Sequence, residues 1–206
     1  MIDAGLVTLV TAGALGLRHA LDPDHLVAVT GLAAGEPTVR PRRLALIGAS
    51  WGAGHAASLA LAGLVALWAG WQPGEAGQQN WERIVGLLIA VIGLRLIAMR
   101  VVLVRPASLP PTRRGFPAAF LVGVVHGLAG SAGVTLLLLP LAAPGLRVPA
   151  LLLFAAMTAV SMVGCILAVG GVVRRVHPST AIPQRLRVAV GCVSVLFGVG
   201  YAIAAA

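Results

Sequence analysis

The sequence predicts an all-α integral membrane domain: six transmembrane helices in an inverted 3+3 repeat, with the first helix broken near Pro23. Three observations predict it. The composition is 59% hydrophobic and 10% charged, with a mean hydropathy of +0.97, and several apolar runs are long enough to cross a bilayer. The arginines concentrate in alternate loops. The two halves also resemble one another. At 206 residues the chain reads as one domain, 1–206, with repeat halves at about 1–105 and 115–206.

Polar, Pro-rich or Gly-rich loops divide the chain into helices at roughly 3–33, 43–70, 81–104, 115–142, 148–173 and 184–205. No basic region precedes the first run, so it is expected to be a membrane helix and not a cleaved leader. It contains Arg18-His19-Ala20-Leu21-Asp22-Pro23-Asp24-His25. Each ionised residue at bilayer depth costs about 2.5–3.5 kcal/mol on insertion scales unless it is compensated. Imidazole and carboxylate together suit a divalent transition metal.

On a straight helix His19, Asp22 and His25 share an arc of about 120°, and Asp24 points away from it. Pro23 clashes with the His19 carbonyl and pushes Asp22 off helical angles. A break there is expected to turn Asp24 and His25 inward and to free the His19 carbonyl as a further donor. Arg18, four residues before Asp22, is expected to pair with it.

The second helix carries His55 after Gly48-Ala49-Ser50-Trp51-Gly52-Ala53-Gly54. These small residues allow close helix approach, and His55 is expected to reach the first helix. Trp68, Trp71 and Trp81 bracket the second loop, where an interfacial aromatic belt would sit. The fourth helix carries His126 before Gly127-Leu128-Ala129-Gly130-Ser131. His126 and Ser131 are candidates for the pathway. Cys165 and Cys192, in the last two helices, lack metal or redox spacing and read as small hydrophobes. His177 is expected to be solvated, and Arg95 to snorkel.

Arginine placement sets the orientation. The first loop carries Arg40, Arg42 and Arg43; the third carries Arg105, Arg113 and Arg114, with Arg100 nearby; the fifth carries Arg174, Arg175, Arg185 and Arg187. The second and fourth loops have only Arg83 and Arg147. Odd loops are therefore expected in the cytoplasm and both termini outside. The net charge of +9 is explained by this bias and by attraction to membrane lipids, not by nucleic acid.

The repeat rests on two matches. Gly16-Leu17-Arg18-His19-Ala20-Leu21 overlays Gly123-Val124-Val125-His126-Gly127-Leu128, an offset of 107 residues. Gly86 and Gly93 overlay Gly191 and Gly198 at an offset of 105. Three helices per half put the second half upside down, a plan used by transporters that alternate access around a midplane site.

The pattern His19-x4-Asp24-His25 after Leu15-Gly16-Leu17 resembles the signature of the nickel/cobalt transporter family. Gly52-Ala53-Gly54-His55 is similar to that family's Gly-His segment. The short chain and the His126-Gly127-Leu128-Ala129-Gly130-Ser131 run resemble its compact six-helix branch, which includes the urease-accessory type of nickel permease. Pro23 stands where the family often has Ala.

The resemblance implies a permease for Ni2+ or Co2+ in a bacterial cytoplasmic membrane. It implies that His19, Asp24 and His25 are required, with His55 contributing, and Asp22 is carried as a further helper. The expected partners are the divalent metal ion, as transported substrate, and lipid; a homo-oligomer is compatible with the sequence. No permanently bound cofactor and no enzymatic activity are expected, and import is favoured. The rivals are a membrane thiol–disulfide electron carrier, an intramembrane serine protease using Ser131, and a metal-binding accessory protein that does not transport. The first needs paired cysteines at equivalent repeat positions, and the second needs a base within reach of Ser131.

Imidazole binds metal in its neutral form. Metal affinity should therefore fall as pH drops through the imidazole range, read by titration of the purified protein at successive pH values.

Overall fold

The computed structural model describes residues 3–36, 39–69, 75–102, 115–129, 142–176 and 182–205. Every regular element among them is a helix. The elements are α1 (Ala4–His19), α2 (Pro23–Ala34), α3 (Pro41–Ala69), α4 (Glu75–Val102), α5 (Gly115–Ala129), a 3-10 turn (Pro144–Leu146) leading into α6 (Arg147–Val176), and α7 (Gln184–Ala204). Ser131, Trp71 and His177 lie outside the described residues. Among the described residues three helices, α3, α7 and α6 with its leading turn, are long and apolar enough to cross a membrane; α1 and α2 together make a fourth if the pair, bent by 52°, is one span. The apolar face turned outward on α7, with Leu196 and Ile203 largely exposed, suits a lipid environment.

The first span breaks where Pro23 predicts. Asp3 opens α1, accepting a hydrogen bond from the Gly5 amide at 2.9 Å. Helix α1 ends at His19, and α2 restarts with Pro23 at its first position, where the missing N–H costs nothing. Between them Asp22 is extended, at φ −61° and ψ 145°. The expectation of a freed His19 carbonyl is corrected: it accepts from the Asp22 amide at 3.2 Å in a tight turn.

Helix ends leave unpaired carbonyls, and α6 supplies donors for two of those near the break. Ser161 Oγ donates to the Leu17 carbonyl at 2.8 Å, and Cys165 Sγ to the Ala20 carbonyl at 3.6 Å. Ser161 and Cys165 are one turn apart, so a single face of α6 holds the broken end. Cys165 is therefore a weak donor as well as a buried hydrophobe.

Helix α3 packs against both α5 and α6, α1 packs against α6, and α4 pairs with α7. Glycines set these distances. A Cβ on Gly93 would lie 2.5 Å from the Gly191 carbonyl oxygen, and one on Gly191 would lie 2.8 Å from that of Gly93. Gly86 and Gly198 meet in the same reciprocal way. At the α3–α5 seam, Gly54 lies against the Phe120 carbonyl and Gly123 against the Trp51 carbonyl.

One end of the bundle gathers polar groups. Arg43 at the start of α3 pairs with Glu36 after α2, and its guanidinium lies 5.4 Å from the Phe116 ring centre on α5. Arg187 on α7 donates to the Glu36 carbonyl at 2.8 Å. The C-terminus of α2 thus meets the N-terminal ends of α3, α5 and α7. At the opposite end, Arg83 of α4 donates to the Ala205 carbonyl at 3.0 Å.

The tight α4–α7 seam gives a stability prediction. Gly93→Ala should destabilise the protein by about 1–3 kcal/mol, because backbone has to move. Gly200→Ala, with nothing within 4 Å of the added carbon, should be neutral or gain up to about 1 kcal/mol of helix propensity. Thermal unfolding in detergent separates the two; equal effects would contradict the seam.

Candidate metal centre

The break delivers two ligand sets to one place. His19 comes from the last residue of α1, while Asp24 and His25 come from the first turn of α2. A straight helix would separate His19 from His25 by about 9 Å along its axis. Here their ring centres are 4.6 Å apart. Asp24 also suits its position, since a carboxylate in a helix's first turn opposes the positive end of the helix dipole.

His55 arrives from α3 and His126 from α5. The seam that brings them together is built on backbone: a Cβ on Gly127 would meet the His55 carbonyl at 2.5 Å and also the Ser58 hydroxyl. His25 is the hub. Its ring centre lies 4.4 Å from His126 and 5.1 Å from His55, whereas His55 and His126 are 6.2 Å apart. All four imidazoles and Asp24 are buried.

The carboxylates orient the rings. Asp22 accepts from His19 Nδ1 at 2.9 Å, and Asp24 accepts from His25 Nδ1 at 3.2 Å and from His126 Nε2 at 3.0 Å. As carboxylates have no proton to give, these nitrogens are the donors. In the neutral rings the other nitrogen of each then carries a lone pair. His19 Nε2, His25 Nε2, His126 Nδ1 and both nitrogens of His55 are buried with no hydrogen-bond partner. Unpaired buried polar atoms are costly and need an explanation.

The grouping supplies one. His19, His25 and His55 each offer a ligand atom within 4.8 Å of the others, and so do Asp24, His25 and His126. A tetrahedral ion with metal–nitrogen bonds of about 2.0–2.1 Å needs ligand atoms about 3.4 Å apart. Either group reaches that by contracting at most about 1.4 Å.

All five sequence-selected metal residues, and His126 with them, meet in this cluster. Two details differ from expectation. Arg18 is exposed, and Asp22 pairs with His19 instead, three residues away. Asp22 is also half exposed, so it steadies a ring at the rim of the cluster.

Sequence reasoning missed Trp51, whose ring centre lies 5.9 Å from His25 and 6.0 Å from His126. It is fully buried. Its place one turn before His55 on α3 was the available signal. Phe154 on α6 plays the matching part for His19, at 5.6 Å. Of the cysteines, Cys165 is buried on α6 and Cys192 exposed on α7, both as free thiols.

These features define an all-helical protein with membrane-type apolar spans and a buried cluster of four imidazoles and a carboxylate at a broken helix. Comparison with known proteins gives three similar sequences. The chain is 28% identical over 150 residues to the urease accessory protein UreH of Bacillus sp. (strain TB-90), covering 66% of this chain and 64% of that protein. It is 31% identical over 188 residues to the Chloroplast protein FOR GROWTH AND FERTILITY 1 of Arabidopsis thaliana, covering 81% of this chain and 49% of the relative. It is 30% identical over 169 residues to FOR GROWTH AND FERTILITY 2 of the same plant, covering 75% and 43%. The chain thus spans less than two thirds of each of these relatives. No family model and no solved structure matches it.

Trp51 forms one wall of the cluster, which gives a further prediction. Trp51→Ala should cost about 3–5 kcal/mol through the cavity it leaves. Trp51→Phe should cost clearly less, because the indole N–H has no partner to lose. Thermal unfolding checks this; equal losses would mean that the N–H matters.

Proposed function

We propose that the chain is a secondary transporter that moves Ni2+ or Co2+ across a bacterial cytoplasmic membrane, with import favoured. The observation that carries this is the set of buried, unpartnered imidazole nitrogens from α1, α2 and α3 facing one another inside a membrane-type fold. Nitrogen-rich sites favour late first-row transition metals over Mg2+ and Ca2+. His19, His25 and His55 replace part of the ion's water shell. Asp22 and Asp24 hold two of those rings in the metal-binding tautomer, and they place two negative charges beside a dication. The similarity to a urease accessory protein and the signature around His19, Asp24 and His25 point the same way.

Alternating access needs two related halves, and the packing supports an inverted repeat. Gly86 and Gly93 are the repeat counterparts of Gly191 and Gly198, yet Gly86 meets Gly198 and Gly93 meets Gly191. A two-fold axis generates that crossed pairing. It recurs elsewhere: His19 lies on Phe154 while His126 lies on Trp51. Gly16 abuts the Phe154 carbonyl, as Gly123 abuts that of Trp51. The end that gathers Glu36, Arg43 and Arg187 is the cytoplasmic one by the arginine bias. Rocking of one half against the other opens the cluster to each side in turn.

Cells expressing the protein should accumulate Ni2+ or Co2+. His19→Ala and Asp24→Asn, at matched expression, should reduce accumulation at least about tenfold, a ligand-loss effect of the size seen on disturbing metal shells. Equal accumulation in all three would sink the transport reading. Metal resistance in place of accumulation would reverse the direction. Binding without any metal movement would favour an accessory, non-transporting role.

A further inference from the structure

We propose that the cluster holds the ion at two successive positions that share His25: a three-imidazole position formed by His19, His25 and His55, and a mixed position formed by Asp24, His25 and His126. This rests on the metal-transport reading and adds the path the ion takes within it. The two groups are distinct in space. Each closes to within 4.8 Å, but the His55 and His126 ring centres are 6.2 Å apart, whereas each lies nearer to His25. His55 and His126 fall in different groups, so the two ligand sets close around different points.

The two positions differ in readiness. In the first, His19 Nε2, His25 Nε2 and both His55 nitrogens have no hydrogen-bond partner, so each neutral ring offers an ion one unengaged lone pair. In the second, both Asp24 oxygens are engaged, one by His25 Nδ1 and the other by His126 Nε2. An ion entering there must displace hydrogen bonds that the protein now holds. The first position is therefore the site of capture and tighter binding. The second is filled by transfer, with His25 kept as a ligand while His19 and His55 are exchanged for Asp24 and His126.

The placement of the ligands gives the transfer a purpose. Every ligand of the first position comes from α1, α2 and α3, within the first half. His126 comes from α5, in the second half, across the glycine seam. Moving the ion onto His126 makes its coordination depend on how the halves sit relative to each other. A carrier must also bind well enough to load and weakly enough to release, which two unequal positions achieve.

Co2+ is the probe, because its visible absorption reports ligand number and type at a stoichiometric site. Wild-type protein in detergent should bind one Co2+ per chain. His126→Gln should bind one Co2+ with the wild-type spectrum, yet carry Co2+ into vesicles at least about tenfold more slowly. His55→Gln should still bind one Co2+, with a changed spectrum and weaker affinity, through the mixed position. His25→Gln should bind none. Loss of all binding in His55→Gln, or wild-type transport by His126→Gln, would overturn the two-position path. So would the same spectral change in both variants, which would indicate one site using all four imidazoles. Wild-type protein that binds no Co2+ or Ni2+ would overturn the transport reading as well. If His126→Gln unfolds, His126→Asn repeats the test, since it too weakens the mixed position and leaves the three-imidazole position complete.

Discussion

A helix that stops at His19 and restarts at Pro23 has to satisfy its broken backbone locally, and the way it does so positions the site. The His19 and Arg18 carbonyls close a tight turn with the Asp22 and Leu21 amides. Ser161 and Cys165 of α6 take up two further carbonyls. Asp22, extended at the N-cap position, makes no side-chain cap to α2, because its carboxylate is turned to His19. A cap of this kind is worth about 1 kcal/mol, and here it is given up to orient an imidazole. The break brings together rings that a continuous helix would hold a turn and a half apart.

The other imidazoles reach the break because glycine lets backbones touch. With no Cβ on Gly54, Gly123 or Gly127, α5 settles against α3 and carries His126 to His25. Lipid gives helices no hydrophobic drive to associate, so packing and hydrogen bonds have to hold them. At this seam they do both, since Asp24 joins α2 to α5 through His126. The same hydrogen bond ties the halves together across the cluster. On the proposed transport reading, an ion that claimed Asp24 would remove that tie and so couple metal occupancy to the relative position of the halves.

Much of this was legible in the sequence, for identifiable reasons. Pro23 marks a helix break by sterics alone, and the chain obeys. The His19, Asp24 and His25 spacing makes chemical sense only around such a break. His126 was picked out by its match to His19, and the structure places it beside His25 and Asp24. Four details were not legible. Arg18 and Asp22 have good spacing for an ion pair on a continuous helix, but the helix ends between them. The His19 carbonyl is claimed by a turn whose geometry depends on how the break is folded. Trp51 becomes a wall of the site only once α2 and α5 are placed beside α3, and its place one turn before His55 was the one local sign. The bridging role of Asp24 is hidden for the same reason, because its second partner lies 102 residues away.

X-ray absorption on the Ni2+-loaded wild-type protein tests most directly whether imidazoles from separate helices converge on one ion. The expected spectrum shows a first shell rich in nitrogen, with the outer-shell scattering of about three imidazole rings. A shell of oxygen alone, without imidazole scattering, would contradict it.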